Sequence, residues 1–152
     1  MKPLFLLSIL ALGLLSCNDD TLDINELPAT KQLDFGDFTI EVPASWQPVQ
    51  FQGIDSYVGG IDMDLDQQAT FDLGWYSNSL DMPAETHHIE YITIDGKAAK
   101  LVRPIDVGRG TTGVYIGNLN DGGLIRFELH GDDLNADNQQ RLMEAIHTLD
   151  FK

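Results

Sequence analysis

Asp62, Asp64 and Asp66 in "IDMDLD" have the 1, 3, 5 spacing of a calcium loop, whose hard cation takes oxygen ligands. An EF-hand also needs Gly at position 6 for its sharp turn and a bidentate Glu at position 12, and Gln67 and Leu73 stand there instead. The simpler account is that alternating Ile61, Met63 and Leu65 place the aspartates on the wet side of a strand or in the turn that follows it. Three carboxylates so close either repel or gather cation, so weak Ca2+ binding is the single cofactor expectation the chain raises. "ETHHIE", residues 85–90, is the transition-metal candidate. On a strand His88 and Glu90 share one face and His87 takes the other, so a zinc site would need a further ligand such as His130 or His147.

Nucleophilic and nucleotide chemistry find less. Ser56 beside Asp55 in "GIDSYVG" is not G-x-S-x-G, and no strand-to-helix elbow follows. "GRGTTG", residues 108–113, matches G-x-G-x-x-G with Asp132 downstream. That fingerprint seats pyrophosphate on a helix N-terminus, whereas "VYIGNL" continues here as a β-type run. A turn between strands is the expectation. No catalytic residue is nominated. Among the aromatics, Tyr76 is expected on the surface, because Phe71, Leu73 and Trp75 take the opposite face of "FDLGWY". Tyr57 and Tyr115 join it as candidate binding residues.

The elements that must position these groups are mostly strands. "DFTIEVP" alternates Phe38, Ile40 and Val42 against polar neighbours, and "WQPVQF" is a short run tolerant of an edge because of Pro48. "SYVGGIDM" and "ATFDLGWY" precede "IEYITIDGKAAKLVRP", a hairpin turning on Asp95-Gly96, and "TGVYIGNL" with "LIRFELHG" gives another pair. One helix is expected, capped by Asn135, with Leu142, Ile146 and Leu149 as its apolar stripe. Asp137 and Arg141 form an i, i+4 pair on it. Strands closed by one helix predict an α+β domain: an antiparallel sheet of about six to eight strands packed against the C-terminal amphipathic helix.

The N-terminus carries a different signal. Lys2 precedes an apolar run from Leu4 to Leu15, too short for the ~20 residues of a spanning helix and right for a secretory signal. Leu14-Leu15-Ser16-Cys17 resembles the lipobox of bacterial lipoproteins, in which cleavage leaves the cysteine first and lipidated. The organisation read from this is a signal peptide at 1–16, a lipidated Cys17 with an acidic tether at 17–30, and one domain at 31–152. The resemblance implies palmitate-type acylation and stable membrane anchoring through lipid. Asn18, where an aspartate would mark inner-membrane retention, allows transfer to the outer membrane. The expected location is the cell envelope, on its periplasmic or its surface-exposed side.

Removing residues 1–16 takes Lys2 with it and moves the formal charge from −15 to −16. Such a chain lacks the basic footprint of nucleic-acid binding, so nucleic acid is excluded as a partner. "FTIEVPASW" followed by antiparallel strands and a helix closing on "TLDFK" is similar to the PsbP-like fold over residues ~35–152, shared by a photosystem II extrinsic subunit and a Ran-binding nuclear transport factor. That resemblance implies a binding or assembly module without a catalytic constellation. The leading expectation is therefore an anchored, non-catalytic domain that binds an envelope protein or a glycan. Two alternatives stand beside it: a small carboxylate- or metal-dependent hydrolase, and an immunity or inhibitor protein against a basic target.

Overall fold

A computed structural model describes residues 29–120 and 122–152. The signal segment, Cys17 and nearly all of the tether lie outside the described residues. Ten strands form among these residues: β1 Thr30–Asp34, β2 Phe38–Pro43, β3 Gln47–Gln50, β4 Tyr57–Asp62, β5 Gln68–Gly74, β6 His87–Ile94, β7 Lys97–Pro104, β8 Thr111–Ile116, β9 Arg126–Asp132 and β10 Asp150–Phe151, with β-branched and aromatic residues alternating most clearly in β2 and β6. They make two antiparallel sheets, one in the order β1-β2-β10 and one in the order β3-β4-β5-β9-β8-β7-β6. The β6–β7 hairpin turns on Asp95 and Gly96, both at positive φ (48° and 71°), the backbone that a two-residue turn demands.

The α+β expectation is overturned. Of the described residues 48% are in strands and 11% in helix, so the chain is mostly β. The layer facing the large sheet is itself a sheet. Thr30–Asp34, which begins at the expected end of the tether, pairs along the whole of β2, and Asp150–Phe151 pairs on the other side of β2. The PsbP-like arrangement of one sheet against a helix falls with this finding. The single α-helix among the described residues, α1 at Ala136–Ile146, is capped by the Asn135 side chain accepting from the Asn138 N–H at 2.9 Å. It buries Leu142, Ala145 and Ile146 against β2 and β8 and fills one flank of the second layer without forming it.

The core lies between the layers. Phe38 of β2 meets Phe71 of β5 and Phe127 of β9 at ring centroid distances of 5.0 and 4.9 Å, and Phe151 of β10 meets Phe127 at 5.1 Å. With period 2 along each strand, burying Phe127 and Leu129 in this core turns Arg126, Glu128, His130 and Asp132 to the other face of the large sheet. That outer face matters because of the connectivity. The chain leaves β5 in the middle of the sheet and must reach β6 at its far edge before β7, β8 and β9 walk back. Residues 75–86 make this passage as a strap over the outer face.

Candidate functional site

Three features tie the strap down. The Ser77 hydroxyl, buried, lies 3.0 Å from Asp72 Oδ1 and 3.0 Å from the Arg126 carbonyl oxygen. Leu80 is 1% exposed and belongs to no part of the inter-sheet core, so it packs under the strap; its φ of 50° is held by its N–H donating to Asn78 Oδ1 at 2.9 Å. Asp81 then accepts from Lys100 Nζ on β7 at 2.5 Å and from the Ser79 hydroxyl at 2.5 Å, contacts that hold its carboxyl below the ordinary aspartate range.

Under and beside the strap, register lines up one row of side chains. Tyr91 of β6 stands opposite Lys100 of β7, Lys100 opposite Tyr115 of β8, Tyr115 opposite Glu128 of β9, and Glu128 opposite Asp72 of β5. Directly opposed residues in an antiparallel ladder have Cβ atoms roughly 4.5–5.5 Å apart, so the row is a line of immediate neighbours on one face. At the β6 end the row opens into a cleft of about 350 Å3 lined by Ser79, Asp81, Tyr91, Lys100, Tyr115 and Asn118 among others. The Lys100 ammonium sits 5.7 Å from the Tyr115 ring centroid, within reach of a cation–π attraction. Tyr91 is 78% exposed, and β6 is an edge strand.

The other end of the row is carboxylate-rich and closed. Glu128 is 8% exposed. Its Oε2 lies 4.0 Å from His130 Nδ1, and both atoms are buried without a hydrogen-bond partner. His130 Nε2 is 4.0 Å from Asp132 Oδ2, while the Asn78 backbone N–H on the strap donates to the Glu128 carboxylate. Burial first, then the charges of Asp72 and Asp132, push the Glu128 carboxyl up to about 7 against the opposing pull of that N–H. Sequence reading named only His130 here, as an outlying ligand. The signal was present in "RFELHGD", where strand alternation places Arg126, Glu128, His130 and Asp132 on one face; what could not be read was the strap that buries two of them.

The residues singled out from sequence are scattered. Asp62 is the only one of the three aspartates on a strand, and it accepts from Gln68 Nε2 at 2.6 Å. Asp64 and Asp66 occupy a 3-10 turn in which Leu65 and Asp66 have φ of 60° and 56°. That turn is built into the fold: Asn138 Nδ2 of α1 donates to the Asp64 carbonyl at 2.7 Å and to Gln67 Oε1 at 2.8 Å, and the Asp64 side chain accepts from Ser45 at 3.1 Å. His88 and Glu90 are exposed on β6, with β5, β9, β8 and β7 between them and β4. One centre made of Asp62, Asp64, Asp66, His88 and Glu90 is therefore excluded by topology, and among the described residues no three His, Cys, Asp or Glu side chains are disposed to hold a metal ion.

His87, by contrast, is buried and structural. Its Nε2 accepts from the Thr111 N–H at 3.2 Å, which puts the ring proton on Nδ1 beside the Thr86 hydroxyl at 2.9 Å. The "GRGTTG" segment is the turn into β8, as its sequence setting predicts: Gly108 and Gly110 have φ of 80° and 109°, and Gly110 donates to Asp133 Oδ1 at 2.6 Å. A Cβ on Gly110 would come within 2.9 Å of His87 Nε2. Ser56 donates to Asp72 Oδ2 at 3.0 Å, so its hydroxyl is engaged in holding the carboxylate that faces Glu128.

The three tyrosines lie apart. Tyr115 joins the cleft described above. Tyr76 is 76% exposed next to Trp75, 55% exposed, at the start of the strap. Tyr57 lines a separate groove of about 560 Å3 at the end of the sandwich with Leu73, Leu119, Ile125, Phe151 and two lysines, Lys97 and Lys152. Burial and the neighbouring Asp37 and Asp34 push its hydroxyl above the ordinary tyrosine range. Both lysines are already paired, with Asp95 and Asp34 respectively, so this groove presents no uncompensated positive charge. No family model and no curated protein matches the chain.

Proposed function

We propose that this chain is an envelope lipoprotein, anchored through Cys17, whose domain is a non-catalytic protein-binding module with the Tyr91–Lys100–Tyr115 cleft as its contact surface. One observation carries the binding reading: two tyrosines flank a lysine whose ammonium Asp81 and the Tyr115 ring hold in place, all in one ladder row ending at an open edge strand. Tyrosine anchors with limited rotamer freedom are the side chains that dominate protein interfaces. An extended segment of a partner laid along β6 would make main-chain hydrogen bonds to the edge and set alternate side chains over Tyr91, which favours a protein over a glycan. The hydrolase reading loses ground at the one carboxyl poised near neutrality, because Glu128 Oε2 is buried beneath the strap where no substrate reaches it.

Photo-cross-linking tests the surface. A photoreactive residue placed at Tyr91, in the intact lipidated chain in its native envelope, is expected to capture one protein species. Tyr115→Ala in the same chain should weaken that capture about tenfold or more, the loss of a hot-spot ring at ~1.4 kcal/mol per decade. Equal yields from Tyr91 and from a control probe at Asp137 on the helix would defeat the reading. Anchoring is tested separately: labelled palmitate is expected to enter the wild-type chain and not Cys17→Ser, and label retained by the variant would remove the lipoprotein assignment.

A further inference from the structure

Every strand around Glu128 contributes a group that bears on its charge. β5 supplies Asp72 directly across the ladder, already engaged by Ser56 and within reach of Ser77. β8 supplies Tyr115 on the other side. Along β9 itself stand Arg126, which forms no ion pair among the described residues, His130 with Nδ1 4.0 Å away, and Asp132 beyond it. The strap supplies the Asn78 N–H from above, and its Asp81 is bound to Lys100 of β7 two places along the row.

We propose that Glu128 is a proton-operated latch for the strap of residues 75–86, which lies closed over a protonated Glu128 and loosens over an ionised one, so that the aromatic cleft walled by that strap responds to pH near neutrality. This deepens the binding reading, and rests on it only for what the cleft takes. The neutral carboxyl is the form a buried site tolerates, and it places no second negative charge beside Asp72 and Asp132. Ionised, the group has one donor in the Asn78 N–H and none at Oε2, with Asp72 and Asp132 repelling it. Admitting water to Oε2 relieves this, and the cover over that atom is the strap. The consequence reaches the cleft by direct contact: Tyr115 is the ladder neighbour of Glu128, and Ser79 and Asp81 of the strap form a wall of the cleft.

Amide hydrogen exchange in the full domain tests this without any ligand. Corrected for intrinsic rates, protection of residues 75–86 is expected to fall about tenfold from pH 6 to pH 8, one decade being the least that a tenfold shift in the opening equilibrium would give, while β7 and β8 keep theirs. Glu128→Gln, uncharged at both pH values, should flatten the change. Strap protection independent of pH, or a fall that persists in Glu128→Gln, would overturn the latch. Should that variant fail to fold, a carboxyl-carbon NMR titration of Glu128 in the wild-type chain decides: a midpoint near that of a free glutamate removes the latch, and one near neutrality that coincides with the exchange change sustains it. The outcome is separable from the cross-linking one, because exchange reads the strap with the cleft empty.

Discussion

Phe38→Ala is expected to lower the free energy of unfolding by about 4 kcal/mol, the upper range for removing a fully buried ring. Phe38 is 0% exposed and stands at the centre of an aromatic cluster, with Phe35, Phe71, Phe127 and Phe151 at ring centroid distances of 5.0, 5.0, 4.9 and 6.0 Å. β2 is the middle strand of the small sheet, and Phe71 and Phe127 belong to β5 and β9 of the large one. The ring is therefore the contact through which the two sheets recognise each other. Three of its neighbours, Phe71, Phe127 and Phe151, sit on separate strands fixed by their ladders, and they cannot all move in to fill the space. The cavity contribution should then come close to its full value. Urea titration at constant pH measures it, with Phe151→Ala, a half-buried ring at the rim of the same cluster, expected to lose less. A change below ~1.5 kcal/mol for Phe38→Ala would mean that the sheets do not share one core.

The strands were legible wherever apolar and polar residues alternate, as in "DFTIEVP", and the Asp95-Gly96 turn was legible because only a few dipeptides accept positive φ twice in succession. α1 announced itself through Asn135 and the Leu142–Ile146 spacing. The class was misread because Thr30–Asp34, starting where the tether was expected to end, carries no strand alternation: Leu33 alone is buried in it. An edge strand of a small sheet needs just one apolar contact, so composition does not mark it. The aspartates fall as the simpler account allows, Asp62 on the strand and Asp64 and Asp66 in the turn after it, which α1 braces through Asn138. The β6–β7 and β8–β9 pairs were legible as hairpins, but the place of β5 beside β9 was not. Nothing local in "WYSNSLDMPAET" tells that β5 will pair with β9, so that this segment must cross three strands, and the burial of Glu128 is a consequence of that crossing.

Stability should also fall as the pH is raised through neutrality, the reverse of what an acidic chain rich in exposed ion pairs would otherwise show. Glu128 moves from an ordinary 4.5 to about 7 in the folded chain. Between those values the folded state keeps a proton that the unfolded state has released, so unfolding is opposed less and less as pH increases. The contribution is fully present below about 4.5 and lost above about 7. At 1.36 kcal/mol per pK unit this sets a ceiling of ~3 kcal/mol. The lowered carboxyls of Asp34, Asp81 and Asp95, each paired with a lysine, act oppositely but in a separate window: their stabilisation is lost only as pH falls below the aspartate range, and all three are exposed, where such pairs contribute little. Chemical denaturation at pH 5 and pH 8 should thus show the wild type more stable at pH 5, and Glu128→Gln should cancel most of the difference by removing the group that ionises. A wild type equally stable at both, or a Glu128→Gln chain that keeps the full slope, would place the titrating charge elsewhere. Because the strap covers Glu128 and the Phe38 cluster lies on the other face of the sheet, the two substitutions have no shared neighbours, and their effects should add.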